Sequence, residues 1–174
     1  ALFAHHQLLG NKRTPSPQDS MRGSFLGPKF ENEEIRSFLN VKQIPHHFYE
    51  LEKELLTKLS EYIGEGKIIG WFQGRMEFGP RALGGRSILG DPRSDKMQKN
   101  LNLKVKYRES FRPFAPSILR EDLPDWFDMN IDSPYMLLVA EINQNKKIEM
   151  TYEQKKLFGI DKLNIKRSDI PAVT

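Results

Sequence analysis

GRMEFGPRALGGRS, residues 74–87, is the stretch of this sequence with the most specific composition. Its fourteen residues contain three arginines (Arg75, Arg81 and Arg86), four glycines and one proline, and no cysteine or histidine. Glycine permits tight backbone turns that other residues disfavour. Arginine carries a planar fork of N–H donors that matches the oxygens of carboxylates and phosphates. This composition favours a loop that holds an anion.

The glycine spacing of this stretch resembles a Walker phosphate-binding loop, but the pattern fails in detail. Gly79 and Gly84 have the required separation, yet Gly85 follows and Arg86 replaces the expected lysine. We therefore reject the Walker assignment. The physical argument survives, because backbone N–H groups beside glycines can approach an anion closely. The alternative is an ordinary surface loop with solvated arginines, and composition alone does not decide between the two.

A second basic cluster, KVKYRESFRPFAP, spans residues 104–116. Lys104, Lys106 and Arg108 alternate, so on an extended chain they would point to one face and form a cationic row, with Arg112 following. The alternative is an edge strand whose charges prevent association with other strands. Two basic clusters close together in the sequence favour a shared anion site.

The positive charge of the protein is concentrated in one segment. The 174 residues have a formal net charge of +4, whereas residues 70–112 contain ten Lys or Arg and four Asp or Glu. That segment therefore carries +6 and the rest of the chain −2. Such a segment attracts anionic ligands.

Overall composition excludes several classes of protein. No apolar run approaches the roughly 20 residues that span a bilayer, and the first residues lack the basic and apolar regions of a signal peptide. Without cysteine the chain can form neither disulfides nor a thiolate zinc site. We expect a globular protein without a membrane partner, and cytoplasmic localisation.

The pattern of apolar residues predicts an α/β or α+β fold, with a twisted mixed β-sheet flanked by helices. Helices are predicted at 32–40, with Asn32 as the cap, at 52–63, and from Ser94 onward; a helical turn is predicted at 123–129. Buried strands are predicted at 67–73, 86–90 and 135–142, and a short strand at 46–51. Residues 10–30 are rich in Gly, Pro and Ser and are predicted to be a loop.

Other candidate functional residues give weaker signals. The adjacent pairs His5–His6 and His46–His47 diverge on any regular backbone, so we predict no metal site in this chain. Glu77 lies between Arg75 and Arg81, where it either orients an arginine or forms a surface salt bridge. Phe78 could stack on a nucleobase, although packing in the core is favoured.

Three long segments together resemble one protein family. GWFQGRMEFGPRALGGRSILGDPR (residues 70–93), LNLKVKYRESFRPFAPSIL (101–119) and SPYMLLVAEI (133–142) are similar to the C-terminal domain of the nodulation-protein-type O-carbamoyltransferases. The resemblance also covers MRGSFLGPKF (21–30) and IPAVT (170–174), so it extends over nearly the whole chain.

This resemblance implies a YrdC-like fold and a specific chemistry. The domain would form carbamoyl-adenylate from ATP and carbamoyl phosphate, with Mg²⁺ bound to the triphosphate. A separate N-terminal domain of the same polypeptide, which holds a transition metal on histidines, would pass the carbamoyl group to the hydroxyl of a small acceptor. Residues 1–30 would be a remnant of that domain plus a linker. Residues 31–174 would be the YrdC-like domain, incomplete at its C-terminus.

The resemblance also implies which residues form the site. Lys106 and Arg108 match a K-x-R element and would contact the phosphates, while Arg75, Arg81 and Arg86 would complete a catalytic anion pocket. Further substrate- and ATP-binding candidates are Lys104, Arg112, Ser110, Ser87, Gly79 and Gly84. No covalent nucleophile is required, because positioning and preset positive charge can supply the catalysis.

Two other functions fit the sequence less well. A nucleic-acid-binding YrdC-like domain is compatible with the sequence pI of 9.2. However, prolines and glycines interrupt the basic segment, so a nucleic-acid partner is disfavoured. The other alternative is a non-catalytic domain that docks on a transferase.

Overall fold

A computed structural model describes residues 1–173 as a mixed α/β chain with short elements. The described helices are α1 (Asn32–Val41), α2 (Glu52–Gly64), α3 (Met97–Asn100), α4 (Leu123–Trp126), α5 (Tyr152–Lys155) and α6 (Gly159–Leu163), and the strands are β1 (Ile69–Phe72) and β2 (Arg86–Leu89). π-helical turns occur at Ala4–Leu8 and Leu101–Val105, and 3-10 turns at Arg22–Ser24 and Gln144–Lys146.

Helices α1 and α2 form close to where the apolar spacing predicts them. The cap of α1 is Glu31 rather than Asn32, and the Glu31 N–H donates to the Glu34 carboxylate at 2.8 Å. Both helices carry acidic residues in their first turn, where they complement the helix dipole. After α2 the chain reverses at Gly66, whose φ of +80° is readily available to glycine.

Strands β1 and β2 pair antiparallel, with Ile69 opposite Leu89 and Phe72 opposite Arg86. The strands predicted at 67–73 and 86–90 are therefore confirmed, with slightly shorter bounds. Their predicted burial is wrong, because every residue of β1 and β2 is half-buried or exposed. This pairing brings the two ends of the intervening segment, residues 73–85, next to each other. The hairpin thus converts the arginine-rich stretch into a closed loop. We refer to residues 73–85 as the arginine loop.

The predicted sheet is larger than the observed one. The described residues form a two-stranded antiparallel sheet rather than a mixed sheet. The prediction of a buried strand at 135–142 is wrong, since Leu137 is 80% exposed and Val139 98% exposed. Within the described chain this segment pairs through one isolated bridge, Ile142 to Phe127. Its apolar sequence suits a strand, but a strand also needs a neighbour to satisfy its backbone groups. The short strand predicted at 46–51 is also not formed.

The start of the second basic cluster is helical, whereas its alternating charges predict an extended chain. Leu101–Val105 is a π-helical turn, and Lys106 keeps a right-handed helical backbone after it. The cationic row of Lys104, Lys106 and Arg108 is therefore wrong, because alternate residues share a face only on a strand. The helix also begins at Met97, with Lys96 rather than Ser94 as its cap.

A small core lies next to the hairpin. Met97, Leu101 and Ala172 form a buried cluster, and Ile68 and Phe114 pack against it. A Cβ at Gly90, which directly follows β2, would lie 2.7 Å from Met97 Sδ. The core thus joins the end of the hairpin to α3 and to the second basic segment. In residues 1–173 no helix has the length and apolar character needed to cross a bilayer.

Substitution of a core leucine tests this arrangement. Leu101→Ala should reduce the free energy of unfolding by roughly 2–3 kcal/mol, because it leaves a cavity beside Met97. The matched control is Leu103→Ala on the same turn, where the side chain is 44% exposed. Urea unfolding followed by circular dichroism measures both. Equal losses for the two variants would contradict the proposed core.

Candidate functional site

The base of the arginine loop is closed by Gln73. Its N–H donates to the Gly85 carbonyl at 2.8 Å, and its side-chain Nε2 donates to the Gly84 carbonyl at 3.2 Å. These bonds continue the β1–β2 pairing beyond Phe72. These hydrogen bonds therefore fix both ends of the loop to the hairpin.

Glu77 organises the interior of the loop. Its side chain is completely buried, and Oε1 accepts hydrogen bonds from the backbone N–H groups of Leu83 at 2.6 Å, Gly85 at 2.8 Å and Arg86 at 3.4 Å. Oε2 accepts from Arg86 Nε at 3.2 Å. The interpretation of Glu77 as a surface salt bridge is thus excluded. The alternative, that it orients an arginine, agrees with the structure for Arg86.

These contacts determine the ionisation of Glu77. Burial by itself raises the pKa of the carboxyl group, but the N–H groups of Leu83 and Gly85 and the Arg86 guanidinium outweigh it. The pKa of Glu77 falls from 4.5 to about 2. The carboxylate is therefore charged over the whole physiological pH range.

Arg86 lies at the start of β2 with one side of its guanidinium held by the protein. Nε is bonded to Glu77, and Nη2 donates to the Gly79 carbonyl at 2.8 Å. Gly79 has a φ of +149°, which a residue with a Cβ adopts rarely. The Arg86 side chain remains 35% exposed, so its remaining N–H groups can reach a ligand.

A second segment, residues 19–28, supports the outside of the loop. Phe78 N–H donates to the Ser24 carbonyl at 2.7 Å, and Arg75 Nη1 donates to the Gly27 carbonyl at 2.9 Å. The segment is anchored in turn by a hydrogen bond from the Tyr135 hydroxyl to Asp19. Arg75 therefore holds two parts of the chain together.

Arg81 and Phe78 are both exposed on the arginine loop. Among the described residues Arg81 forms no hydrogen bond or ion pair, so its charge is available to a ligand. Phe78 is 74% exposed, so packing in the core, the favoured interpretation, is wrong for this ring. Ser87 is half-buried on β2, opposite Trp71.

In the second basic cluster, residues 104–116, some candidate residues have no ion-pair partner among the described residues and others are held by neighbouring side chains. Lys104 and Lys106 are exposed and have no ion-pair partner in residues 1–173. Arg112 pairs with Glu109 at 3.2 Å. Arg108 donates through Nε to the Asn102 side chain at 2.6 Å and lies over the Phe114 ring at 5.0 Å.

The second basic cluster and the hairpin that carries the arginine loop pack against the same core. Phe114, under Arg108, packs against the same cluster as Ile68, which precedes β1. A groove of about 240 Å³ beside the second segment is lined by Lys96, Lys99, Ser110 and Phe111 among others, and by no residue of the arginine loop. The convergence of Arg75, Arg81, Arg86, Lys106 and Arg108 on one cleft stays a prediction.

Asp91 and Asn102 are buried polar residues that are not among the candidates predicted from the sequence. Asp91 binds Arg93 through two guanidinium nitrogens, at 2.9 Å and 2.8 Å, and this pairing lowers the pKa of Asp91. Asn102 is completely buried. The DPR tripeptide at 91–93 is a signal for the first, whereas nothing in the local pattern marks the second. Residues 1–173 contain no group of three or more His, Cys, Asp or Glu placed to hold a metal.

The pH dependence of stability tests the role of Glu77. A group whose pKa is lowered on folding stabilises the folded state above its unfolded pKa, and that contribution disappears as the pH falls through the folded value. For Glu77 this contribution is on the order of 3 kcal/mol, complete above pH 4.5 and lost towards pH 2. Glu77→Gln should be less stable at pH 7, and the difference from wild type should shrink between pH 4.5 and 2. Denaturant unfolding across that range, with Glu61→Gln as the exposed control, is the measurement; a difference independent of pH would contradict the assignment.

Gly85 provides a second test of the loop. An added Cβ would lie 2.6 Å from the Arg75 carbonyl oxygen and 3.0 Å from the Phe25 ring. Gly85→Ala should cost about 1–3 kcal/mol of stability, because the backbone must shift. Gly70→Ala in β1 is the matched control, since a Cβ there meets no atom within 4 Å. If both variants unfold at the same urea concentration, the close approach at Gly85 is wrong.

Comparisons with known proteins show which sequences this chain resembles. The chain is 52% identical to an uncharacterized protein of Synechocystis, over all of this chain and 28% of that protein. It is 36% identical to nodulation protein NolO of Bradyrhizobium diazoefficiens, over 76% of this chain and 25% of NolO. It is also 39% identical to 3'-hydroxymethylcephem-O-carbamoyltransferase of Streptomyces clavuligerus, over 52% of this chain and 17% of that enzyme.

The chain thus spans only about a quarter of the length of the Synechocystis protein and of NolO. A family model described as the carbamoyltransferase C-terminus matches residues 60–174, a range that includes both basic segments. The chain belongs to the carbamoyltransferase C-terminal family.

Proposed function

We propose that this domain forms carbamoyl-adenylate from ATP and carbamoyl phosphate. Carbamoyl-adenylate keeps one oxygen between its carbonyl carbon and the α-phosphorus. Carbamoyl phosphate must therefore first lose its phosphate to water, which leaves carbamate. A carbamate oxygen then attacks the α-phosphorus of ATP and expels pyrophosphate. The products are carbamoyl-adenylate, phosphate and pyrophosphate.

The observation that carries this proposal is the anchoring of Arg86 in the arginine loop. A buried carboxylate and a glycine carbonyl hold one side of its guanidinium, while the other side remains accessible. An arginine positioned in advance can stabilise charge that develops on phosphate oxygens without reorganising during the reaction. Arg81, which has no ion-pair partner among the described residues, adds a positive charge to the same loop.

The remaining residues of the proposed site have supporting roles. Lys106 and Arg108 would bind phosphates, while Arg75 would keep the loop in place through Gly27. Lys104, Arg112, Ser110, Ser87, Gly79 and Gly84 are proposed as further contacts with ATP or carbamoyl phosphate. Mg²⁺ would enter with the triphosphate and neutralise part of its charge, with few protein ligands.

Transfer to the final acceptor belongs to a second domain in this proposal. An N-terminal domain of the same polypeptide would hold a transition metal and pass the carbamoyl group to a hydroxyl of a small molecule. The Streptomyces clavuligerus relative is named for carbamoyl transfer to a hydroxymethyl group, which supports a hydroxyl acceptor. A cytoplasmic location, where ATP is available, fits this scheme.

Calorimetric titration of the full-length gene product separates this function from its alternatives. We expect Mg-ATP to bind, followed by carbamoyl phosphate. A nucleic-acid-binding domain would instead bind an RNA or DNA oligonucleotide with affinity that falls steeply with salt, and without preference for ATP. A docking domain would bind neither substrate. Either of those results would contradict the proposal.

Kinetics of Arg86 variants test the anchored arginine directly. Arg86→Ala should slow pyrophosphate release from ATP and carbamoyl phosphate about a hundredfold, which corresponds to about 3 kcal/mol of transition-state stabilisation. Arg86→Lys should recover part of the rate, because it keeps the charge but loses the fork. The control is Arg120→Ala, an exposed arginine paired with Asp132 outside both basic segments. Unchanged turnover in Arg86→Ala would contradict the proposed catalytic role and leave Arg86 with a structural role only.

A further inference from the structure

We propose that Asn102 is a positioning residue for Arg108, and that together they present a fully charged guanidinium fork to a phosphate group of the substrate. This inference rests on the proposed function for the identity of the substrate. The family resemblance assigns Arg108 to the phosphates but assigns no role to Asn102 or Phe114. It concerns the second basic segment and is independent of the Glu77 contacts.

Asn102 uses all parts of its side-chain amide. Nδ2 donates to the Ser110 carbonyl at 3.1 Å and to the Arg112 carbonyl at 2.9 Å, while Oδ1 accepts from Arg108 Nε at 2.6 Å. Its backbone carbonyl also accepts from the Arg108 N–H at 2.9 Å. With no exposed surface, this amide cannot rotate without breaking buried hydrogen bonds. Asn102 therefore fixes the backbone on both sides of Ser110 and the direction of the Arg108 side chain.

Arg108 is held at two places that leave its outer end free. Its Nε is bound to Asn102, and the face of the guanidinium lies 5.0 Å from the centre of the Phe114 ring. Phe114 packs on the core cluster, so the platform under the guanidinium is itself anchored. In residues 1–173 neither Nη group of Arg108 has a hydrogen-bond or ion-pair partner. These two nitrogens carry four of the five guanidinium donors.

The turn before Arg108 is strained in a way that favours this placement. Tyr107 has a φ of +47°, in the left-handed region that disfavours residues with a Cβ. Its side chain is 85% exposed, so packing of the tyrosine does not explain the conformation. The left-handed turn at Tyr107 accompanies the two hydrogen bonds that bring Arg108 back to Asn102. Strain of this kind is often retained at functional sites.

The Asn102–Arg108 pair differs from a structural ion pair because asparagine carries no charge. Arg93, Arg112 and Arg120 are each paired with a carboxylate, which compensates their charge. Asn102 positions Arg108 just as firmly but leaves its full positive charge uncompensated. An uncompensated guanidinium with a free fork matches the paired oxygens of a phosphate.

A double-mutant cycle tests the coupling. Inorganic pyrophosphate is titrated calorimetrically, at constant ionic strength, into the full-length gene product. Asn102→Ala should weaken its binding about tenfold when Arg108 is present and less than twofold in the Arg108→Ala background. An equal loss in both backgrounds, or no loss in either, would overturn the proposal. The control is Asn143→Ala, whose amide also binds a backbone carbonyl, that of Pro124, but no arginine.

Two further measurements keep the test decisive if Asn102→Ala does not fold. Asn102→Asp retains an acceptor for Arg108 Nε but adds a negative charge. It should keep the Arg108 Nε–H resonance in NMR spectra while weakening pyrophosphate binding. In the unsubstituted protein that resonance should shift when pyrophosphate is added, and an unchanged resonance would overturn the proposal. All these readouts are independent of carbamoyl-adenylate formation, so failure of the proposed reaction would be recognised separately by absent pyrophosphate release.

Discussion

The buried carboxylate of Glu77 is the contact on which the arginine loop depends. Isolated burial of a carboxylate costs several kcal/mol, and the cost is offset only where hydrogen bonds and an opposite charge surround it. Here three backbone N–H groups and Arg86 Nε fulfil that requirement. Because Glu77 lies in the first half of the loop and these donors lie at its end, the contacts tie the two halves together and hold Arg86 in place. A segment with no regular secondary structure thereby obtains a defined shape.

The two basic segments hold their arginines by different chemical means. Glu77 positions Arg86 with a charged group, and this stabilises the fold but compensates part of the arginine's charge. Asn102 positions Arg108 with a neutral amide, and the core provides an aromatic platform. The first arrangement favours rigidity and the second favours attraction of an anion. A site that must orient a polyphosphate and also stabilise its developing charge benefits from both.

The sequence predicts the local features of this structure better than the features that depend on distant residues. The apolar spacing of 52–63 and the short apolar runs around 67–73 and 86–90 are sufficient to locate α2, β1 and β2, because each signal lies within its own element. The run at 135–142 has an equally apolar pattern, but a strand also requires a neighbouring strand, and the pattern does not contain that information. Glu77 stands out between two arginines, whereas Asn102 binds carbonyls eight and ten residues away. Such bonds have no periodicity, so the sequence does not indicate them.

The contact around Gly85 has a consequence for how genes of this kind can diverge. Every single-nucleotide change in a glycine codon that alters the residue introduces a Cβ or ends translation. At this position a Cβ would meet a backbone oxygen rather than a flexible side chain, so rotation of a neighbouring side chain cannot relieve the clash. Purifying selection should therefore act on this codon independently of catalysis, even in a descendant that had lost its substrate. Variation at codon 85 would record the loss of the loop's architecture. Variation at codon 81, whose arginine forms no hydrogen bond or ion pair within residues 1–173, would record a change of ligand.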